Sequence, residues 1–206
     1  MTTTKHFFLL ETSTKFLLEQ KESILIHRIW ERYHLFFMDF KNDVLWLDGI
    51  KDEKLIQRIR KNIDVLDKSI TDQMFFDLID FKIRQDSTYR GFFFRSYVEP
   101  VSFLEEFDRF LLSHQQPAMH MFLMTADKQE ELDYLWQQEQ IENINSLGND
   151  NLTTEEFIEK VYTQQQKAVA PFQNYYQQQK RYHEINISGK TEEVIFAEMC
   201  AIIDNI

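Results

Sequence analysis

The sequence predicts an α/β protein whose parallel sheet is covered by helices on both faces. Two patterns predict it. Short runs of consecutive apolar residues alternate with longer stretches of helical periodicity, and the helical stretches between strands reach 10 or more residues, enough for crossover connections. The chain of 206 residues, 43 % apolar and with 19 phenylalanines, can also bury a sizeable core as one domain.

Each element follows from its local pattern. Phe7-Phe8-Leu9-Leu10 reads as a strand buried on both faces. Phe16 to Trp30 carries Phe16, Leu17, Ile24, Leu25, Ile29 and Trp30 at helical spacing. Tyr33 to Phe37 predicts a second strand, and Leu55 to Leu66 a charged amphipathic helix. Ser69-Ile70-Thr71-Asp72 begins a helix with Met74, Phe75, Leu78 and Phe81 along one face. Gly91 to Phe94 is a third strand. Phe103, Leu104, Phe107, Leu111 and Leu112 mark the next helical face, and Met119 to Met124 a fourth strand. Asp127 to Gln140 is helical, and Asn143 to Asn151 a polar loop. Thr153-Thr154-Glu155-Glu156 starts a helix with a capping pattern, and Pro171 opens or kinks the segment after it. Tyr182 to Ile187 is a fifth strand and Thr191 to Ile203 a closing helix.

Composition excludes several function classes. The net charge of −11 disfavours a generic nucleic-acid binder. A lone cysteine, Cys200, excludes an internal disulfide framework and a cysteine-rich metal site. No apolar run approaches the roughly 18 residues that cross a bilayer. The polar Met1 to Lys5 and the short Phe7 to Leu10 do not make a signal-peptide core. Glycine decides most. The chain has four, Gly49, Gly91, Gly148 and Gly189, the nearest two 41 positions apart. A backbone cradle for phosphate needs clustered glycines, so neither GxxxxGK[ST] nor GxGxxG can occur.

Arg90 to Asp108, RGFFFRSYVEPVSFLEEFD, resembles without a gap the adenylate kinase segment of the form KGFLIDGYPRxxxQxxxF. SITDQMFFDLIDFKI (69–83) is similar to that family's helix before the GF strand, and the stretches from Thr153 to Tyr176 and Arg181 to Asp204 to its last helices and strand. The resemblance implies a single adenylate-kinase-like domain over 1–206. Its five-stranded parallel sheet would have the order 2-3-1-4-5. A remnant monophosphate-binding part would span about 38–70, and a remnant lid about 137–153.

The departures concern phosphate chemistry. Where the family has a glycine-rich loop and lysine, this chain reads Glu11-Thr12-Ser13-Thr14-Lys15-Phe16-Leu17-Leu18. Phe37, Met38 and Asn42 stand where a Thr, a Gly and an Arg help hold the monophosphate. The magnesium-organising aspartate becomes Arg95, the phosphate-binding arginine Glu99, and the adenine-reading glutamine Phe103. No arginine occurs between Arg109 and Arg181, and the lid positions hold Asp133, Gln137, Asp150 and Val161. Phosphoryl transfer is catalysed almost wholly by positioning and charge stabilisation. Losing six arginine positions removes on the order of 10 kcal/mol, at roughly 1.5–3 kcal/mol per charged hydrogen bond with discounting for non-additivity. Glu99 and Asp133 add repulsion.

The remaining residues have ordinary expected roles. His6, His27, His34, His114, His120 and His183 lack ligand spacing, although His114 and His120 straddle Pro117 and could meet in a loop. Cys200 should pack in the core. Glu105-Glu106, Glu130-Glu131, Gln164–Gln166 and Gln177–Gln179 should lie on solvated helix faces. Phe36-Phe37, Phe92-Phe93-Phe94 and Tyr175-Tyr176 read as core. Alternatively, Phe37, Met38 and Phe103 fill the former cleft, or an aromatic face docks on a partner.

The expected function is that of a pseudoenzyme: a structural or accessory subunit of a larger protein assembly. The resemblance suggests an intracellular setting, a ciliary axoneme or a mitochondrial respiratory complex. The expected partners are other protein subunits, with no nucleic acid and no transmembrane segment. Nucleotide binding is not expected, and no catalytic, cofactor-binding or metal residue is assigned. The alternative is an altered nucleotide sensor or weak nucleoside-monophosphate kinase relying on Lys15, Arg95 and Gly189. An unrelated α/β interaction module would lack the sheet order 2-3-1-4-5.

Overall fold

The structure is a computed structural model and describes residues 5–12, 17–39, 53–54, 56–57, 72–85, 89–95, 101–142 and 153–206. Its elements, in chain order, are β1 (His6–Thr12), α1 (Leu17–Tyr33), β2 (Leu35–Asp39), α2 (Asp72–Gln85), β3 (Gly91–Arg95) and α3 (Val101–Ser113). They continue with β4 (His120–Thr125), α4 (Lys128–Glu142), α5 (Thr154–Gln178), β5 (Tyr182–Asn186) and α6 (Glu192–Ile203). The strands form one sheet in the order β2-β3-β1-β4-β5, with β2–β3 and β4–β5 parallel. This is the expected order. Phe7 to Leu10 and Met121 to Met124 are all buried, so these strands are covered on both faces, as runs without alternation require.

The chain divides into two compact units, one of residues 1–9 and 33–119, the other of 10–32 and 120–206. In the first, Phe7 stacks on Phe92 at 5.1 Å and meets Phe107 edge-on at 6.2 Å. Phe76 of α2 lies nearly parallel to Phe103, Phe107 and Phe110 of α3, with centroids 5.6, 6.0 and 5.1 Å away. At Gly91 the backbone of His6 comes so close that a Cβ would collide with its carbonyl oxygen. The backbone N–H of His6 donates to the Arg90 carbonyl at 3.0 Å. Lys5 is buried beside it: its N–H donates to Gln116 Oε1 and its ammonium to the Tyr89 carbonyl, at 2.8 and 2.7 Å.

In the second unit the core is mostly aliphatic: Leu25, Ile26 and Ile29 of α1, Met121 to Met124 of β4, Ile185, Ile187, Ile195, Met199 and Ile203. Thr153 and Glu156 close a capping box on α5, and Thr191 caps α6.

Several expectations need correction. β2 begins at Leu35, not Tyr33, because His34 takes a positive φ of 51° and ends α1 first. Pro171 does not divide its segment: α5 runs unbroken from Thr154 to Gln178. Its ring lies on the exposed side, where a helix can curve outward around the missing hydrogen bond. Phe81 is only half-buried, while Phe76, Ile79 and Ile83 complete the α2 face. Leu112 is 61 % exposed. It stands about 40° further round α3 than Asp108, which is buried and accepts the Met119 N–H. Asn143 to Asn151 lies outside the described residues, as do Ser69 to Thr71 and most of Leu55 to Leu66, of which Ile56 and Gln57 are helical.

Candidate functional site

A nucleotide site on this fold would begin at the C-terminal end of β1. Strand β1 arrives there buried from Phe7 onward, and Glu11, its penultimate residue, is only 3 % exposed. Its carboxylate therefore occupies protein interior at the level where a phosphate-binding turn would start. A buried carboxylate is stabilised by donors and cations and repels anions, the reverse of what a polyphosphate needs. The segment 13–16, with Lys15, lies outside the described residues.

The ends of β2 and β3 run side by side. Phe37 and Met38 pair in register with Phe93 and Phe94, and Asp39 pairs with Arg95 at the last rung. Phe37 is half-buried and its ring stacks on Phe93 at 6.5 Å. Asn42 and Glu99 lie outside the described residues, as does most of 38–70. Phe103 does not fill a cleft with Phe37. It belongs to the α2–α3 aromatic cluster, 5.6 Å from both Phe75 and Phe76. Phe36 instead meets a cation: the buried Lys82 places its ammonium 4.5 Å from the ring centre.

The expected lid positions that are described fall on α4 and α5. Asp133 and Gln137 are exposed on α4, and Asp133 accepts from Gln129 at 2.7 Å within the same helix. Val161 is half-buried on α5, and Asp150 lies outside the described residues. Gly189 does adopt a left-handed φ of 65°, in the turn between β5 and α6.

Polar groups converge in three places that sequence reasoning missed. Asp80 of α2 ion-pairs with Arg84, and its carboxylate is 3.2 Å from His114 Nε2 beyond α3. His114 Nδ1 is 2.8 Å from the Phe110 carbonyl. The Ser113 hydroxyl also donates to that carbonyl, at 2.7 Å, and its oxygen is 3.0 Å from His114 Nδ1. Glu131 is not on a solvated face: it is 1 % exposed, accepts the Ala126 N–H at 3.1 Å and receives Gln166 Nε2 at 3.4 Å. Gln165 and Gln166 are accordingly half-buried, whereas Gln164 and Gln177 to Gln179 are exposed as expected. Thirdly, His120 lies on β4. Its Nδ1 is 3.0 Å from His183 Nε2 on the next strand. These pairs join residues 34, 35 and 63 positions apart, and no local pattern signals them.

Burial pushes His183 below its ordinary value. Burial also raises Tyr182, reinforced by its hydrogen bond to Glu184 at 2.8 Å, so its phenol stays protonated. Tyr162 is raised chiefly by burial and then by the Glu131 charge. Cys200 is buried, as its helical position predicts. Among the described residues, no three His, Cys, Asp or Glu side chains are grouped to hold a metal, and no helix is long and apolar enough to cross a membrane.

No family model matches the chain. An adenylate kinase from Flavobacterium psychrophilum is 22 % identical over 158 residues, 77 % of this chain and 80 % of that protein. The solved thymidylate kinase from Candida albicans aligns with 98 % of this chain and 92 % of its own at 10 % identity and a TM-score of 0.43. The strand order and the adenylate kinase likeness together support a nucleoside-monophosphate-kinase-like fold.

Proposed function

We propose that this chain is a nucleoside-monophosphate-kinase-like domain that no longer transfers phosphate and serves as a structural or accessory subunit of a larger protein assembly. The observation that carries the reading is the buried Glu11 carboxylate at the end of β1, where a phosphate cradle would have to form. Two features of the sequence act in the same direction: four scattered glycines cannot build the cradle, and the stretch without arginine cannot supply the clamp. A fold kept intact by packing says nothing for activity, because chemistry resides in the site.

Isothermal titration with ATP, AMP and bis-adenosine pentaphosphate tests the loss of nucleotide binding. The expected result is no heat of binding up to millimolar ligand. Micromolar affinity, or turnover in a homogeneous preparation, overturns it and favours the sensor or weak-kinase reading. The accessory role is tested separately. The protein purified under native conditions should co-migrate with other subunits, whose identity assigns the assembly to a ciliary axoneme or a mitochondrion. A native protein that migrates alone, as a folded monomer, contradicts that role.

A further inference from the structure

β5 ends the strand order, and among the described residues only β4 flanks it in the sheet. Its register places His183 opposite Phe122. His120 lies two residues before Phe122, on the same face, so the two imidazoles form a diagonal cross-strand pair. The rings are 12° from parallel, with centroids 5.3 Å apart, and Nδ1 of His120 is 3.0 Å from Nε2 of His183. The difference between the two distances is taken up by the ring radii, so both nitrogens sit on the line between the ring centres. A metal ion on that line would need about 4 Å between the nitrogens, at its usual bond length of roughly 2.0–2.1 Å. A proton fits the observed gap.

We propose that the His120–His183 pair is a proton-sensitive latch that fastens the start of β5 to β4. A linear N–H···N bond requires one ring nitrogen to be an acceptor, so at least one imidazole must be neutral. One added proton leaves a bond between imidazolium and imidazole. A second turns both nitrogens into donors aimed at each other, and the bond becomes like-charge repulsion. Both rings are half-buried, which makes the doubly charged state costlier still.

Burial is the only cause that shifts His183, and it lowers it from 6.5. The folded chain then takes up this proton later than the unfolded chain does. The stabilisation is complete above about pH 6.5 and is lost as the pH falls below it. Several charged groups of the surrounding elements have partners of their own. Glu184 accepts from Tyr182 and Thr125, and Arg181 lies over the Tyr175 and Tyr176 rings of α5. On α6, Glu193 pairs with Arg28 and Glu198 with Lys190, and just beyond it Asp204 pairs with Arg32.

Amide hydrogen exchange across Tyr182–Asn186, corrected for intrinsic rates, reads the latch directly. In the native chain these amides should open about five- to tenfold more often near pH 5 than near pH 7.5, the loss of one net hydrogen bond. The β2–β3 ladder should not change its relative protection. In His183→Gln the contrast between the two pH values should vanish. NMR titration of the unmodified chain gives a second reading, in which the two imidazoles protonate in coupled steps with one well below the ordinary range. Exchange in β5 that does not depend on pH overturns the proposal. So does a pH contrast that persists in His183→Gln, or two histidines that titrate independently.

Discussion

The unit around β2 and β3 rests mainly on stacked phenylalanines, with clasps such as Asp80–His114 beside them; the unit around β4 and β5 combines aliphatic packing with polar clasps. In the first, Phe107 alone touches Phe7, Phe75, Phe76, Phe94, Phe103 and Phe110. In the second, Glu131 fastens the approach to α4, Thr153 and Thr191 cap helices, and His120 bonds His183. The difference shows two ways to stabilise the same layering of helix on strand. Large rings supply buried area and tolerate no loss of volume. Polar clasps contribute less each, and fail by leaving a buried partner unsatisfied.

Breaking the aromatic side should cost most. Phe107→Ala removes a fully buried ring from contact with six others and should lower unfolding stability by about 3–5 kcal/mol in denaturant titration. Glu131→Ala leaves the Ala126 N–H and the Gln166 amide without their acceptor and should cost about 1–3 kcal/mol, seen as a lower melting temperature. Thr153→Ala opens the α5 capping box at an exposed helix start and should cost about 1 kcal/mol by the same measurement. Leu112→Ser, on the outer side of α3, should change stability by no more than about 0.5 kcal/mol. If Glu131→Ala cost as much as Phe107→Ala, the distinction between the two units would fail.

Sequence reasoning located the strands well because Phe7–Leu10, Gly91–Phe94 and Met119–Met124 are unbroken apolar runs, the pattern of strands buried on both faces. Sheet order came from the family resemblance, not from periodicity. Helix interiors were less legible. Pro171 reads as a breaker, but its exposed ring lets α5 continue past it, and Leu112 matches an apolar pattern from which the helical angle turns it away. Missing glycines and arginines could be counted before any fold was known. The burial of Glu11 could not, since it depends on where β1 lies in the sheet. The clasps Asp80–His114 and His120–His183 depend on register and helix packing, which the sequence does not spell out locally.

The contact at Gly91 bears on any attempt to re-engineer this scaffold. At Gly189 a Cβ would meet nothing within 4 Å and only the left-handed backbone resists a side chain, whereas at position 91 a Cβ has no room at all. There the first and third strands enter the sheet with main chain against main chain, and even a methyl group would wedge them apart. A library that randomised every glycine to recruit a new ligand would lose its members at this one rung, before any binding could be selected.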